Sequence, residues 1–159
     1  MNTGPEKYMK EALKSARKSL KSGDVPVGAV IVKDGKIIGR GYNSIERKNS
    51  PIEHAEIIAI RSAVRKTGYK HLSGCDLYVT LEPCSMCAGA IVLARIRNLY
   101  IGAADPKTGA SGSLYSITED PRLNHRCNVT IGILEKECSE LIKDFFRKLR
   151  EEKRNERKA

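Results

Sequence analysis

Five short runs rich in apolar and β-branched residues constrain the fold of this 159-residue chain more than any other feature. The runs span residues 25–32, 37–42, 77–81, 98–103 and 129–133. Each run has the length and composition of a β-strand. The dipeptide Asp34-Gly35 separates the first two runs, and Asp-Gly in such a place is typical of a tight hairpin. The sheet is therefore expected to begin with an antiparallel pair.

Apolar residues recur at helical spacing in the segments around these runs. The predicted helices span residues 5–20, 51–67, 85–96 and 134–149. Thr3 and Glu6 have the spacing of a capping box at the start of the first helix. The helix at 51–67 is apolar on most of its sides, which predicts that it is buried. Residues 150–159 are nearly all polar or charged and are expected to be a frayed helix end or a mobile tail.

The order of these elements predicts the fold class. Strands and helices alternate after the hairpin, a pattern that favours a three-layer α/β/α sandwich with a central mixed five-stranded sheet. The length of 159 residues fits a single domain over residues 1–159. The longest apolar runs are too short to span a bilayer, and no basic start followed by an apolar run marks a signal peptide. We therefore expect a cytoplasmic protein with no membrane partner.

The charge balance points to a polyanionic partner. There are 29 Lys and Arg residues against 19 Asp and Glu, which gives a net charge of +10. Such an excess of basic residues favours nucleic acid, although it could also serve solubility alone. The five cysteines are an odd number and cannot all pair within the chain. In a cytosolic protein, closely spaced cysteines indicate a metal or redox site.

Two short motifs carry the chemistry. The first is His54-Ala55-Glu56, and the second is Pro83-Cys84-Ser85-Met86-Cys87. Cys84 and Cys87 are three residues apart, so on a helix they share a face and could hold one Zn²⁺ at about 2.3 Å each. His54 would supply an imidazole as the third ligand. Three protein ligands leave a fourth position for water, which is the pattern of catalytic rather than structural zinc.

Helix geometry limits where this metal could lie. His54 and Glu56 are two residues apart, about 200° around a helix, so they cannot both point sideways at one site. They can both reach a site off the end of the helix. The free N–H groups at two helix N-termini would also favour thiolate ligands. Glu56 would then move protons to and from the substrate.

The two motifs in this order resemble the zinc-dependent deaminases of the cytidine deaminase superfamily. His-x-Glu alone is a weak signal and Pro-Cys-x-x-Cys alone could be a redox pair, but together they are expected in well under ~0.1% of random chains. Further segments resemble the bacterial tRNA adenosine deaminases within that superfamily. These segments are 24–30, 41–43, 80–83, 105–110, 123–126 and 145–147.

The resemblance implies a cytidine deaminase-like fold and one Zn²⁺ per subunit. It also implies hydrolytic conversion of adenosine to inosine at the wobble position of a tRNA anticodon stem-loop. In that reaction C6 of adenine is attacked, and Glu56 protonates N1 and then the leaving ammonia. The resemblance further implies a homodimer whose RNA site draws on both subunits.

Several residues outside the zinc motifs are candidates for substrate binding. Asn43 offers a donor and an acceptor to a purine edge, or it starts an Asx turn. Asp105 could accept from a ribose 2′-OH and Lys107 could meet a phosphate, while turn chemistry and solvation are the alternative. Asn124, with His125 and Arg126, would shape a loop or contact RNA. For Arg147, phosphate contact and simple helix-end charge are equally compatible with the sequence.

Two other functions fit parts of the sequence. A deaminase of a free base or nucleoside, such as guanine or cytosine, would carry the same zinc motifs. A nucleic-acid-binding module with structural zinc would need a fourth ligand, and the chain offers none at suitable spacing. The basic balance and the segments 105–110 and 124–126 favour the tRNA substrate over the free base.

Overall fold

The structure is a computed structural model that describes residues 4–159. The helices within that range are α1 (Pro5–Lys18), α2 (Ile45–Lys48), α3 (Ala55–Thr67), α4 (Ser85–Leu93) and α5 (Glu135–Lys158). The strands are β1 (Gly28–Lys33), β2 (Lys36–Tyr42), β3 (Asp76–Leu81), β4 (Asn98–Ala103) and β5 (Asn128–Ile131). Short 3₁₀ turns follow α1 at Ser19–Ser22 and precede β5 at Ile117–Glu119.

The strands form one sheet in the order β2-β1-β3-β4-β5. Strand β1 is antiparallel to both β2 and β3, whereas β3, β4 and β5 run parallel. Helices α1 and α5 pack on one face of the sheet, and α3 and α4 pack on the other. The predicted three-layer sandwich with a mixed five-stranded sheet is therefore confirmed.

Alternation along the strands builds a separate apolar cluster on each face of the sheet. Ile31 and Val79 point towards α3 and α4, while Val30 and Tyr78 point towards α1 and α5. This period of two is what a sheet covered on both faces requires. No helix among residues 4–159 combines the length and apolar character that crossing a membrane requires.

Glycines let α3 approach the hairpin closely. A Cβ atom on Gly41 would overlap the carbonyl oxygen of Ala55, and one on Gly39 would lie 2.5 Å from the carbonyl oxygen of Ala59. Because glycine has no Cβ, the helix backbone can rest directly on β2. This contact fixes the first turn of α3, where the His54-Ala55-Glu56 motif lies.

Some predicted boundaries are wrong. Helix α3 begins at Ala55 rather than at 51, because the backbone N–H of Ser44 donates to Glu53 O and that of His54 to Ile52 O, which folds this segment into a turn. Helix α4 ends at Leu93 rather than at 96. Helix α1 starts at Pro5 with Gly4 as its N-cap, and Thr3, predicted as the cap, lies outside the described residues.

The C-terminal segment differs most from the prediction. Residues 150–158 continue α5 as regular helix through Lys158 instead of forming a frayed end or mobile tail. Glu, Lys and Arg, which make up most of this segment, are good helix formers. Oppositely charged residues three and four positions apart add to the stability of an exposed helix.

Candidate metal and catalytic site

The N-termini of α3 and α4 meet at one point. His54 is the N-cap of α3 and Cys84 is the N-cap of α4, and both have extended backbone conformations. Cys87 follows in the first turn of α4. Both motifs therefore face a common point off the ends of two helices, as the spacing of His54 and Glu56 required.

The three candidate ligand atoms lie at the spacing of a chelate. His54 Nδ1 is 3.6 Å from Cys84 Sγ and 3.5 Å from Cys87 Sγ, and the three atoms all lie within 4.8 Å of one another. Tetrahedral zinc with ordinary Zn–N and Zn–S bonds would hold such atoms about 3.5 Å apart. Among residues 4–159, no other trio of His, Cys, Asp or Glu side chains gathers in this way.

The electrostatics of the trio favour thiolate at Cys84. Hydrogen bonds from Cys87 and His54 lower the pKa of Cys84 to about 4. Pairing with Cys84 and burial raise the pKa of Cys87. The same contact with Cys84 raises the pKa of His54. The site is therefore built to hold negative sulfur beside an imidazole, a donor set typical of zinc.

Glu56 lies beside this trio, in the first turn of α3. Its side chain is buried, with 4% of the residue exposed, and it lines the cavity in front of His54 and Cys84. Burial raises the pKa of Glu56 to about 7. A carboxyl group with a pKa near neutrality can both accept and return a proton.

Asn43 is held in one orientation. Its Oδ1 accepts a hydrogen bond of 2.9 Å from the backbone N–H of Ala55, and thus satisfies a free donor at the start of α3. Its backbone carbonyl accepts from the hydroxyl of Ser19. Asn43 lines the cavity, where its amide NH₂ and the second lone pair of its oxygen can meet a ligand.

The cavity in front of the trio has a volume of about 560 Å³. It opens at the carboxyl ends of β3 and β4, between those strands and α5. Its lining includes Val25, Val27, Asn43, His54, Glu56, Glu82, Cys84, Asp105, Lys107, Ile142, Lys143 and Phe146. Apolar side chains with a few polar groups are typical of a small-molecule or nucleobase site.

Glu82 is a cavity residue to which sequence reasoning gave no role. It is buried and accepts backbone N–H bonds of 3.0 Å from each of Asp105, Ser111 and Ser113, as well as the hydroxyl of Ser113. Burial alone would raise the pKa of Glu82, but these hydrogen bonds hold it below the ordinary 4.5. The carboxylate thus fastens the loop that forms one wall of the cavity. In the sequence, only the position of Glu82 directly before Pro83 could have indicated this structural role.

The predicted RNA contacts in that loop lie at the cavity. Both Asp105 and Lys107 line it. The Asp105 carboxylate accepts from the N–H groups of Lys107 and Thr108 and, at 2.7 Å, from the Thr108 hydroxyl. The turn chemistry that rivalled a ribose contact is therefore present, and a role of Asp105 in binding ribose stays a prediction.

The two remaining candidates lie in different places. Arg147 follows Phe146 of the cavity wall and forms an exposed ion pair of 3.3 Å with Asp144. Asn124 is not among the cavity residues. The next residue, His125, contacts the carbonyl oxygen of Ile96 ahead of β4, whereas the cavity lies past the other end of that strand. A six-residue strand separates the two edges by about 20 Å.

Comparisons with known proteins agree with this site. A family profile described as MafB19-like deaminase matches residues 3–150. The chain is similar to the tRNA-specific adenosine deaminase of Bacillus subtilis (strain 168), at 47% identity over 156 residues, or 98% of this chain and 97% of the relative.

Two solved structures extend the comparison. One, from work on A-to-I editing by tRNA deaminases at the wobble position of transfer RNA, superposes with a TM-score of 0.82 at 46% identity and covers 85% of this chain and 98% of that one. The other, a guanine deaminase from Bacillus subtilis, superposes with a TM-score of 0.61 at 41% identity. That alignment covers 64% of this chain and 66% of the guanine deaminase chain.

Proposed function

The chain belongs to the MafB19-like deaminase family, and we propose that it converts adenosine to inosine at the wobble position of a tRNA anticodon loop by hydrolytic deamination. The observation that carries the deaminase chemistry is the trio His54, Cys84 and Cys87 with buried Glu56 beside it. The tRNA substrate is supported by the near full-length similarity to the tRNA-specific adenosine deaminase.

His54, Cys84 and Cys87 would hold one Zn²⁺ per subunit. Their mutual distances and the thiolate character of Cys84 fit that ion. When bound, zinc would supply a Lewis acid that makes water an effective nucleophile near neutral pH. Three protein ligands leave one position for the water that is consumed.

The remaining chemistry belongs to the side chains. Glu56 accepts one proton of the attacking water and delivers it to N1 of adenine. It then takes the second proton from the new hydroxyl on C6 and gives it to the departing amino group, so that C6 gains oxygen and loses nitrogen as ammonia. The Asn43 NH₂, which is fixed because Ala55 N–H engages the amide oxygen, donates to the base. The apolar walls at Val27 and Phe146 exclude water around the ring.

The RNA backbone is met by the basic rim of the cavity. Lys107 and Lys143 line the opening, and Arg147 lies on the next residue after Phe146 along α5. Basic side chains position an RNA by its phosphates, and a net charge of +10 favours its approach. Asp105 and Asn124 remain candidate RNA contacts from the sequence. Because the proposed substrate is tRNA, we place the protein in the cytoplasm.

We propose a homodimer because the outer face of α4 exposes apolar surface. Leu93 at its end is 76% exposed, and a Cβ on Gly89 would meet no atom within 4 Å. Helix α4 contacts the turn at Ile117–Glu119, and Leu114 and Tyr115 just before that turn are more than half exposed. Exposed apolar side chains on α4 and beside it favour association with a second copy.

The substrate is tested with an unmodified tRNA that carries adenosine at the wobble position. We expect inosine at that position and at no other adenosine. The same enzyme preparation is incubated with free guanine, cytidine and adenosine, because the guanine deaminase structure shares this fold. Deamination of guanine without any inosine in the tRNA would reject the proposal in favour of free-base deamination.

The metal is tested with Cys87→Ala. We expect zinc content, measured by elemental analysis, to fall from one per subunit to near zero, because two ligands hold zinc far more weakly than three. Cys138→Ala is the matched control, since Cys138 is a buried thiol packed under α5 away from the trio. Equal zinc contents in the two variants would contradict the assignment.

A further inference from the structure

A second cavity lies at the opposite edge of the sheet from the catalytic one. It has a volume of about 420 Å³ and opens where β3, β4 and β5 begin. Its lining consists of His71, Ser73, Gly74, Arg95, Arg97, His125, Arg126 and Asn128. We call it the amino-edge cleft. It includes His125 and Arg126, which do not line the catalytic cavity.

The cleft gathers positive charge that acidic side chains do not neutralise. Three of its lining residues are arginines. The nearby carboxylate of Asp76 is already bound by Arg97, with Nε 3.2 Å from Oδ1, and by the amide of Asn98. Among residues 4–159, no carboxylate lies within 4.0 Å of the guanidinium of Arg95 or Arg126. Within this range, Arg95 and Arg126 therefore line the cleft without a carboxylate partner.

The walls of the cleft are fixed by contacts within the chain. His125 Nε2 donates to the carbonyl oxygen of Ile96 at 2.6 Å, which ties the loop before β5 to the loop before β4. Asp76 fixes the Arg97 guanidinium between the starts of β3 and β4. Such anchors hold the three loops together, so Arg95 and Arg126 are presented from a rigid frame.

Arg95 has an unusual backbone conformation at the end of α4. Arg95 has a φ of 63°, in the left-handed region that non-glycine residues seldom adopt. A turn after a helix by itself favours Gly or Asn at such a position. The N–H of Arg95 donates to Val92 O and that of Ile96 to Ile91 O, so this turn closes α4 and fixes the position of Arg95 at the cleft.

We propose that the amino-edge cleft binds a phosphate group through Arg95 and Arg126. Guanidinium groups bind phosphate oxygens through paired charge-assisted hydrogen bonds, and the open cleft leaves room for the chain attached to the phosphate. Two sources offer this chemistry, a phosphodiester of the RNA backbone and a free phosphate ion. The catalytic cavity is about 20 Å away across the sheet, so both sites can be filled together.

Phosphate binding itself is tested by calorimetric titration with inorganic phosphate at constant ionic strength. The variant is the double substitution R95Q and R126Q, and the control is K153Q with R157Q, which removes the same charge from the exposed end of α5. We expect the wild type and the control to bind alike and the affinity of the R95Q and R126Q protein to fall at least about tenfold, as the loss of charge-assisted hydrogen bonds requires.

The RNA source is tested by measuring the affinity for full-length tRNA over a range of salt concentrations. If the cleft takes a backbone phosphate, R95Q with R126Q makes the slope of log affinity against log salt shallower by about 0.7–0.9 relative to the control, because one phosphate contact fewer is formed and fewer counterions are released on binding. If it takes free phosphate, the slope matches the control while phosphate binding is lost.

Either result supports phosphate binding in the amino-edge cleft. The proposal is overturned if the variant and the control behave alike towards both inorganic phosphate and tRNA. Circular dichroism checks that the variant is folded. Neither arginine is among the residues that line the catalytic cavity. The phosphate titration needs no deaminase activity, so its failure is distinguishable from failure of the proposed function.

Discussion

Four side chains at two helix ends carry the chemistry that we propose for this site. His54 and Cys84 cap α3 and α4, and Cys87 and Glu56 lie one turn or less into those helices. The free backbone N–H groups of a helix N-terminus favour nearby negative charge, which suits thiolates better than neutral thiols. The two helix ends therefore favour the thiolate forms of Cys84 and Cys87.

Glu56→Gln should separate catalysis from metal binding. The amide cannot move a proton, so we expect kcat for inosine formation to fall by about 10²–10⁴. Zinc content should stay at one per subunit, because Glu56 is not among the three candidate ligands. Glu46→Gln, at an exposed glutamate, serves as the control. A Glu56→Gln enzyme with the wild-type rate would remove Glu56 from the mechanism.

The loop from Ala104 to Ser113 depends on a single carboxylate at the end of β3. Glu82 accepts hydrogen bonds from three of its backbone N–H groups and one of its hydroxyls, and so takes the place of regular secondary structure. Because that loop carries Asp105 and Lys107, the shape of the cavity wall depends on Glu82 although Glu82 need not touch the substrate.

Glu82→Gln should destabilise the protein by about 2–3 kcal/mol at pH 7. The substitution replaces a buried charged acceptor with a neutral amide, and the NH₂ of that amide would face the N–H groups that now donate to Glu82. The pKa of Glu82 is lowered in the folded state, so its ionised form stabilises the fold fully above the unfolded value of 4.5. That contribution is lost as the pH falls through the folded pKa.

The measurement is urea unfolding of wild type and variant between pH 7 and pH 3. The difference in the free energy of unfolding should be largest near neutrality and should shrink below about pH 4.5. Glu119→Gln, at an exposed glutamate, should show no such pH-dependent difference. A difference that stayed constant over this range would mean that Glu82 does not act through its charge.

The two edges of the sheet carry separate cavities in the whole molecule. The carboxyl ends of β3 and β4 carry the catalytic cavity, and the amino ends of β3, β4 and β5 carry the amino-edge cleft. Helix α5, regular through Lys158, extends basic side chains past the body of the sheet. A polyanion as long as an RNA could therefore contact the protein at more than one place.

Leu93→Glu should weaken the proposed homodimer. A charge on the exposed apolar end of α4 would be buried on association, so we expect the dimer dissociation constant to rise at least about tenfold. Sedimentation velocity over a concentration series measures it. Leu20→Glu, on the opposite face of the sheet beside α1, is the control and should remain dimeric. A variant at Leu93 that is dimeric like the control would exclude α4 from the interface.

The sequence by itself determined the features that depend on local pattern. Strand residues alternate or run apolar, helix residues recur every three or four positions, and Asp34-Gly35 adopts positive φ at both residues, as its hairpin requires. Ligand chemistry is equally local, since residue type and the spacing of Cys84 and Cys87 limit which metal could bind. These signals predicted the fold class and the His54, Cys84 and Cys87 trio that the structure brings together.

Only the tertiary structure decided what depends on contacts between distant segments. Residues 43 and 55, 82 and 113, and 96 and 125 meet through hydrogen bonds that no short-range pattern encodes. Those contacts move the start of α3 to Ala55, make Glu82 the anchor of a loop and place Asn124 across the sheet from the catalytic cavity. Local propensity specifies which elements form, whereas the free energy of burying and pairing polar groups specifies where their ends meet.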